Sequence, residues 1–218
     1  MPPSPERPQE ARIGSHIFKS RIVLQSGDGL AVLVENAPIA ADQRIECAQQ
    51  VLREYTGRAD IIIGRRASGR PRLAPPYPEL AVSLSHRGRN LLAAFSPMSD
   101  VGVDIEPDDP AIEVMRLAAD HFSQAESAAL ATLPAVQSRD MFLRLWVAKE
   151  AALKLTGRGI FDGLGEPDLA LDLEPLRVGD RTIAVPASSR LPALTISVCR
   201  ILLPGQPANY CGLAVACH

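Results

Sequence analysis

Short apolar runs, each closed by Gly, Pro, Asp or Ser, recur along this chain and are interrupted by longer stretches of helical spacing. That rhythm fixes the class of fold, because period-two runs form strands and 3.6-period runs form helices. RIVLQ and LAVLVEN flank Ser26, Gly27, Asp28 and Gly29, the turn chemistry of an antiparallel hairpin. In residues 41–55, Ile45, Ala48, Val51, Leu52 and Tyr55 recur at helical spacing, and Asp42 complements the helix N-terminus. IIIG, an Arg-, Gly- and Pro-rich loop over 64–78, and the strand-like runs LAVSLS, NLLAAFS and VGVDIE follow. Two further helices are predicted over 111–122 and 138–156, before LALDLE, TIAVPA, LTISVCRIL and GLAVAC return to strand character. Strand, helix and strand therefore occur twice. The expected architecture is α+β, with two similar α/β halves, each a helix packed on an antiparallel sheet. No residue-level repeat is visible. Residues 1–12 carry Pro2, Pro3, Pro5 and Pro8 and read as a disordered lead-in, with structure starting near Ile13. Residues 13–100 then form an N-terminal half, and 101–218 a C-terminal half with the acidic motifs.

The 218 residues and 46% hydrophobic content suffice for a real core. Lys plus Arg total 23 against 25 Asp plus Glu, a formal net charge of -2, which leaves no global footprint for a nucleic-acid backbone. At 4%, the aromatic residues are too few for base-stacking platforms or a ring-lined sugar cleft. Any ligand is expected to be held by its polar parts. Cys47, Cys199, Cys211 and Cys217 show no C-x-x-C spacing and read as buried thiols rather than zinc ligands or a disulfide framework. The charged, Pro-rich start has no secretory apolar stretch, and no run approaches a bilayer span, so a cytoplasmic protein without membrane contact is expected.

Three local patterns carry chemistry. In VGVDIEPDD, Asp104 and Glu106 stand two apart on a strand and share one face, where their repulsion calls for a cation or an ordered set of donors. Magnesium, which takes one or two carboxylates plus waters and phosphates, suits such a pair. Taken alone, the pair also fits a solvated strand end before the Pro107 turn. In RDMFLRLWVAKEAALKLTGRG, Phe142, Leu145, Trp146 and Leu153 form an apolar stripe that contains Lys149. Glu150 and Lys154 follow at one-turn spacing along its margin. A wet Glu-to-Lys pair would explain the last two residues. A site at the edge of the core would explain all three. In VSLSHRG, Ser85 and His86 end a strand before Gly88, and GRRASGRPRL gathers Arg65, Arg66, Arg70 and Arg72, guanidinium forks that suit phosphate oxygens.

The segments GRP, SH, GVDIE and WVAKEAALK occur in the order and at the approximate spacing of 4′-phosphopantetheinyl transferases of the surfactin-synthetase-activating (Sfp) type, which the chain strongly resembles from the first helix to the last strands. GVDIE followed about forty residues later by W-x-x-K-E-x-x-x-K is more specific than either motif alone. The resemblance implies two halves related by pseudo-twofold symmetry, with coenzyme A between them. It implies Mg²⁺ held by Asp104, Glu106 and Glu150 together with the coenzyme A pyrophosphate, and Lys154 against the phosphate on the leaving side. It further implies Lys149 at the same phosphates, Ser85 and His86 on the phosphate-bearing part of the cofactor, Arg70 and Pro71 lining the adenine pocket, and Arg44 reaching the 3′-phosphate. The basic cluster of relatives before the first helix is replaced here by ENAPIAADQR, and Arg65 or Arg66 would have to compensate. Arg87 stands where relatives carry a small residue, and Arg70 replaces the lysine of G-K-P.

The implied reaction is attack by a serine of an apo acyl, polyketide or peptidyl carrier protein on the β-phosphate of coenzyme A, releasing adenosine 3′,5′-bisphosphate. Mg²⁺ and Lys154 would stabilise charge, and Glu150, or a metal-bound water it orients, is the candidate general base, with Asp104 the third catalytic residue. The implied internal pseudo-symmetry suggests a monomer. The acidic pair alone would also allow a Mg²⁺-dependent nucleotide pyrophosphate hydrolase, although the E-x-x-E-E helix of nudix enzymes is absent. A non-catalytic carrier-protein or coenzyme A binding module is the third reading.

Overall fold

The computed structural model describes residues 9–13, 16–66, 69–77, 79–157, 180–188 and 191–217. Strands β1 (Gln9–Ile13), β2 (His16–Ser26) and β3 (Gly29–Glu35) lead into helix α1 (Ala41–Thr56). A small ribbon of β4 (Ile63–Arg65) and β5 (Pro71–Leu73) follows, then β6 (Ala81–Arg87), β7 (Asn90–Ser96) and β8 (Val101–Pro107). Helices α2 (Val114–His121), α3 (Gln124–Ala131) and α4 (Ala135–Thr156) precede β9 (Arg181–Val185), β10 (Leu194–Ile201) and β11 (Asn209–Ala216). One antiparallel sheet has the order β1-β2-β3-β7-β6 and a second the order β8-β11-β10-β9. In each, the strand before the long helix pairs with the last strand of its group, which pairs in turn with the one before it: β3-β7-β6 and β8-β11-β10. The shared connectivity makes the α+β arrangement of two similar units visible, although the amino-acid sequence shows no repeat.

Side-chain alternation assembles four layers, helix on sheet on sheet on helix. Val32 and Val34 of β3 and Leu91, Ala93 and Phe95 of β7 face Cys47, Ala48, Val51 and Leu52 of α1. Their neighbours Ala31, Leu33, Leu92 and Ala94 meet Val101, Val103 and Ile105 of β8 and Cys211, Leu213 and Val215 of β11 between the sheets. The even-numbered positions of β8 and β11 are thereby turned toward α4. There Gly102 and Gly212 give the helix room: a Cβ on Gly102 would lie 2.0 Å from the Ala151 carbonyl oxygen, and one on Gly212 2.4 Å from that of Val147. The sheet meets the α4 backbone directly at these points, which fixes the height of Glu150 and Lys154 above β8.

The Ser26 to Gly29 turn closes β2 against β3, with Gly27 at a positive φ of 53° that Gly adopts without steric cost. The chain pairs earlier than expected, since Gln9 to Ile13 add β1 at the sheet edge, with alternate residues half-buried and exposed. Pro8 is the last proline before this segment, so every β1 residue keeps a ladder donor. Residues 1–8 of the lead-in expected over 1–12, and the LALDLE strand, lie outside the described residues. β5 falls within the expected loop, and α3 was not expected at all. Cys47, Cys199 and Cys211 are buried free thiols, whereas Cys217, just past β11, is exposed. Among the described residues, no helix is long and apolar enough to cross a membrane.

Candidate active site

The outer strand β6 of the first sheet meets the outer strand β8 of the second, and their facing side chains make the site. Ser83 Oγ accepts the Val103 backbone N–H at 3.2 Å, which ties the two strands together. Two residues further along, Ser85 Oγ donates to Asp104 Oδ1 at 2.8 Å. Lys154, reaching over from α4, places Nζ 2.7 Å from the same carboxylate oxygen and 2.9 Å from Ser85 Oγ. Asp104 is 2% exposed, yet among the described residues its other oxygen, Oδ2, has no hydrogen-bond partner. Glu150 is one turn before Lys154 on α4, buried to 4% exposure, and its Oε1 is likewise unpartnered. Two bare carboxylate oxygens inside a protein are costly unless a cation or donor arrives.

The electrostatics agree. Burial pushes Glu150 up to about 7, the neighbouring Asp104 charge adds to it, and Lys154 opposes. Glu106 is also raised, chiefly by burial, with Arg87 opposing and Asp104 adding. Arg87 forks onto Glu106: Nε donates to Oε2 at 2.7 Å and Nη2 donates to Oε1. Among the described residues, no group of three His, Cys, Asp or Glu side chains converges so as to hold a metal ion. The two bare oxygens of Asp104 and Glu150 nevertheless fit a hard divalent cation, which favours oxygen ligands and can be held by two carboxylates.

Cations surround the other side. His86 is exposed on β6, and its pKa is lowered first by partial burial and then by the charges of Arg44, Arg87 and Lys154. Arg44 of α1, Arg87 and Lys154 therefore all act on His86 and disfavour its charged form. Arg44 itself donates to the Ile39 carbonyl. Next to Lys154, a recess of about 130 Å³ is lined by Arg70, Pro71, Ser83, Lys154 and Gly157 among others. Arg70 Nη2 donates to the Lys154 carbonyl at 2.6 Å and the Leu155 carbonyl at 3.0 Å, so Arg70 caps the last turn of α4 besides lining the recess. Arg65 donates instead to the Gly69 carbonyl at 2.8 Å.

Lys149 lies apart from this cluster. The resemblance puts it at the phosphates, but it is fully buried on the opposite side of α4, with Nζ 2.7 Å from Glu126 Oε2 and 5.0 Å from the Phe122 ring centre. The reason is azimuth: Lys149 shares its helical face with Phe142 and Trp146, which α2 and α3 cover, while Glu150 and Lys154 face β8. Glu126 was missed. It closes a capping box with Ser123 at the start of α3, and the S-Q-A-E spelling directly after Phe122 was the available signal.

Residues 100–188 match the model of the 4′-phosphopantetheinyl transferase superfamily. The chain is 34% identical over 149 residues to the 4′-phosphopantetheinyl transferase AcpT of Escherichia coli, covering 63% of this chain and 73% of AcpT. It is 36% identical over 105 residues to the 4′-phosphopantetheinyl transferase HetI of a Nostoc species, 47% of this chain and 44% of HetI. To the 4′-phosphopantetheinyl transferase Sfp of Bacillus subtilis it is 30% identical over 111 residues, 50% of this chain and 48% of Sfp. The chain thus spans less than half the length of HetI and Sfp.

Proposed function

The chain belongs to the 4′-phosphopantetheinyl transferase superfamily, and from that premise we propose that it moves the 4′-phosphopantetheine group of coenzyme A onto a serine of an apo acyl, polyketide or peptidyl carrier protein, as an enzyme of the surfactin-synthetase-activating type. The observation that carries the reading is the meeting of Asp104, Ser85 and Lys154 beside the bare oxygens of Asp104 and Glu150. Phosphoryl transfer asks mainly for positioned charge at a diphosphate, and this cluster supplies fixed charge of both signs within one small space.

In the proposed reaction the carrier serine Oγ forms a bond to the β-phosphorus of coenzyme A. The bond from that phosphorus to the bridging oxygen breaks, and adenosine 3′,5′-bisphosphate leaves with the bridging electrons. Glu150, buried one turn from Lys154, is the proposed acceptor of the hydroxyl proton. Lys154 Nζ donates to phosphoryl oxygens as charge grows there, while Arg70 holds the carbonyl end of the same residue in place. Asp104 orients Lys154 by accepting from its Nζ. Mg²⁺, held by Asp104 and Glu150, the two carboxylates with a bare buried oxygen, would neutralise diphosphate charge when bound. Arg44 supplies positive field for the cofactor's phosphates, His86 in the same field is disposed to stay neutral and can offer them an imidazole N–H, and the recess at Arg70 and Pro71 offers a seat for its adenine end.

The test is incubation of the protein with coenzyme A, Mg²⁺ and an apo carrier protein, read by mass spectrometry. Gain of a phosphopantetheine by the carrier, with one adenosine 3′,5′-bisphosphate per transfer, is the expected result. Coenzyme A hydrolysis without carrier modification would instead favour a pyrophosphate hydrolase, and cofactor binding without either product a non-catalytic module.

A further inference from the structure

Arg87 does something that the acidic motif alone does not announce. Its guanidinium meets both oxygens of Glu106, and Nη1 also donates to the His86 carbonyl at 3.2 Å, which anchors the fork to its own strand. Arg87 pairs with Asn90 across the β6–β7 hairpin, where Gly88 takes a φ of 55°, so a tight turn sets the direction of the side chain. A bidentate guanidinium-carboxylate pair is among the stronger polar contacts and leaves few acceptor positions on Glu106. The contrast with its neighbours is sharp. Asp104 Oδ2 and Glu150 Oε1 are buried and bare, whereas both Glu106 oxygens are claimed. No three acidic side chains converge among the described residues.

We propose that Arg87 holds Glu106 out of the metal site, so that the divalent ion is gripped by two protein carboxylates, Asp104 and Glu150, rather than by three. This rests on the metal-assisted transfer proposed above and deepens it. Arg87 is here a positioning residue: it replaces one ligand-to-metal contact by one ion pair, and its own charge takes over part of the neutralisation that the ion would otherwise provide. Magnesium tolerates such a site because it retains waters and takes further oxygens from substrate phosphates.

The experiment is Mn²⁺ binding by the full chain, followed by electron paramagnetic resonance of free Mn²⁺, with and without coenzyme A. Glu106→Gln should change the Mn²⁺ Kd by less than about twofold, while Asp104→Asn and Glu150→Gln should each weaken it by at least about tenfold. Arg87→Ala should tighten binding by about fivefold or more, by releasing Glu106, and Glu106→Gln should abolish that gain in the double variant. Arg87→Lys, which keeps the charge but loses the fork, should tighten binding less than Arg87→Ala. Equal losses from Glu106→Gln and Asp104→Asn with Arg87 intact would overturn the two-carboxylate site while leaving the metal reading standing. Absence of Mn²⁺ binding by every variant, even with coenzyme A present, would overturn both.

Discussion

Lys154 Nζ sits 2.7 Å from Asp104 Oδ1 although the two residues belong to different elements fifty positions apart. Gly102 and Gly212 let α4 come down onto β8 and β11, and the contact follows from that approach. Lys154→Met removes the donor while preserving most of the stem. Loss of one positioned donor at a developing oxyanion typically costs about 10²–10³ in turnover. We expect kcat to fall by that order and the coenzyme A Kd to rise far less, as read by steady-state kinetics and calorimetry. A raised Kd with kcat unchanged would mean that Lys154 only binds.

Glu150 makes the protein pH-sensitive in two ways. Its folded pKa, pushed up to about 7, exceeds that of an unfolded glutamate, so the folded chain binds the extra proton more tightly. The associated stabilisation is complete below about pH 4 and is lost as pH rises toward 7. Metal-free protein should therefore lose a few kcal/mol from this group over that range in urea titrations, and Glu150→Gln should flatten that segment. For the reaction the sign reverses, because a base must be ionised. Mg²⁺ on the same carboxylate displaces that proton, so with saturating Mg²⁺ the rising limb of kcat/KM should lie below the neutral range, and Glu150→Gln should remove most of the turnover. A variant of normal turnover would refute the assignment.

Gly102 and Gly212 test the backbone contact itself. A methyl group at Gly102 would sit 2.0 Å from the Ala151 carbonyl oxygen and 2.5 Å from the Leu155 nitrogen, both backbone atoms of a helix packed on all sides. Gly102→Ala should destabilise by at least about 2 kcal/mol, and Gly212→Ala by a similar amount. The helix shift should also displace Glu150 and Lys154, so kcat should fall even at temperatures where the variants remain folded. Thermal denaturation and kinetics on the same samples would check both effects.

Arg70 joins the β4–β5 region to the end of α4. The side chain donates to two terminal carbonyls, where a cation also complements the helix dipole, and Gly157 leaves it room. Arg70→Ala should cost about 1–2 kcal/mol and lower kcat through a loosened Lys154. Arg70→Lys should recover part of the dipole effect but not the double hydrogen bond, so its kcat should stay nearer that of Arg70→Ala than that of the unaltered protein. An effect on coenzyme A affinity alone would return Arg70 to a purely cofactor-lining role.

Much of this was legible because strands and helices signal themselves through local periodicity. The Ser26 to Gly29 turn, α1, the long helix α4 and the Asp104, Glu106, Glu150 and Lys154 pattern needed only neighbouring residues to be seen. What escaped depended on partners distant in the chain. β5 is three residues long and exists only because Ile63 to Arg65 pair with it. β1 has little apolar content and is ordered by the register of β2. The grip of Arg87 on Glu106 and of Arg70 on α4 arises where the two sheets meet, which no spacing along the chain encodes. α3 is the exception, since its capping box was spelled out in the residues.

The buried pair of Lys149 and Glu126 offers the most direct separation of structural from catalytic roles on α4. Glu126 accepts from Lys149 Nζ and also from Ser123 N and Oγ, so one carboxylate joins the cap of α3 to the interior face of α4. Burial lowers the Lys149 pKa and the Glu126 charge counters it, which is the signature of a cation retained inside by its partner. Lys149→Met takes away a cation 2.7 Å from a buried carboxylate and should destabilise the fold. Lys149→Met with Glu126→Gln removes both charges and should recover at least about half of that loss, because replacing a buried pair by uncharged groups is often tolerated. If this is the role of Lys149, the Lys149→Met protein should keep its affinity for coenzyme A while unfolding at lower urea. A raised coenzyme A Kd, with unchanged stability, would instead restore Lys149 to the phosphates.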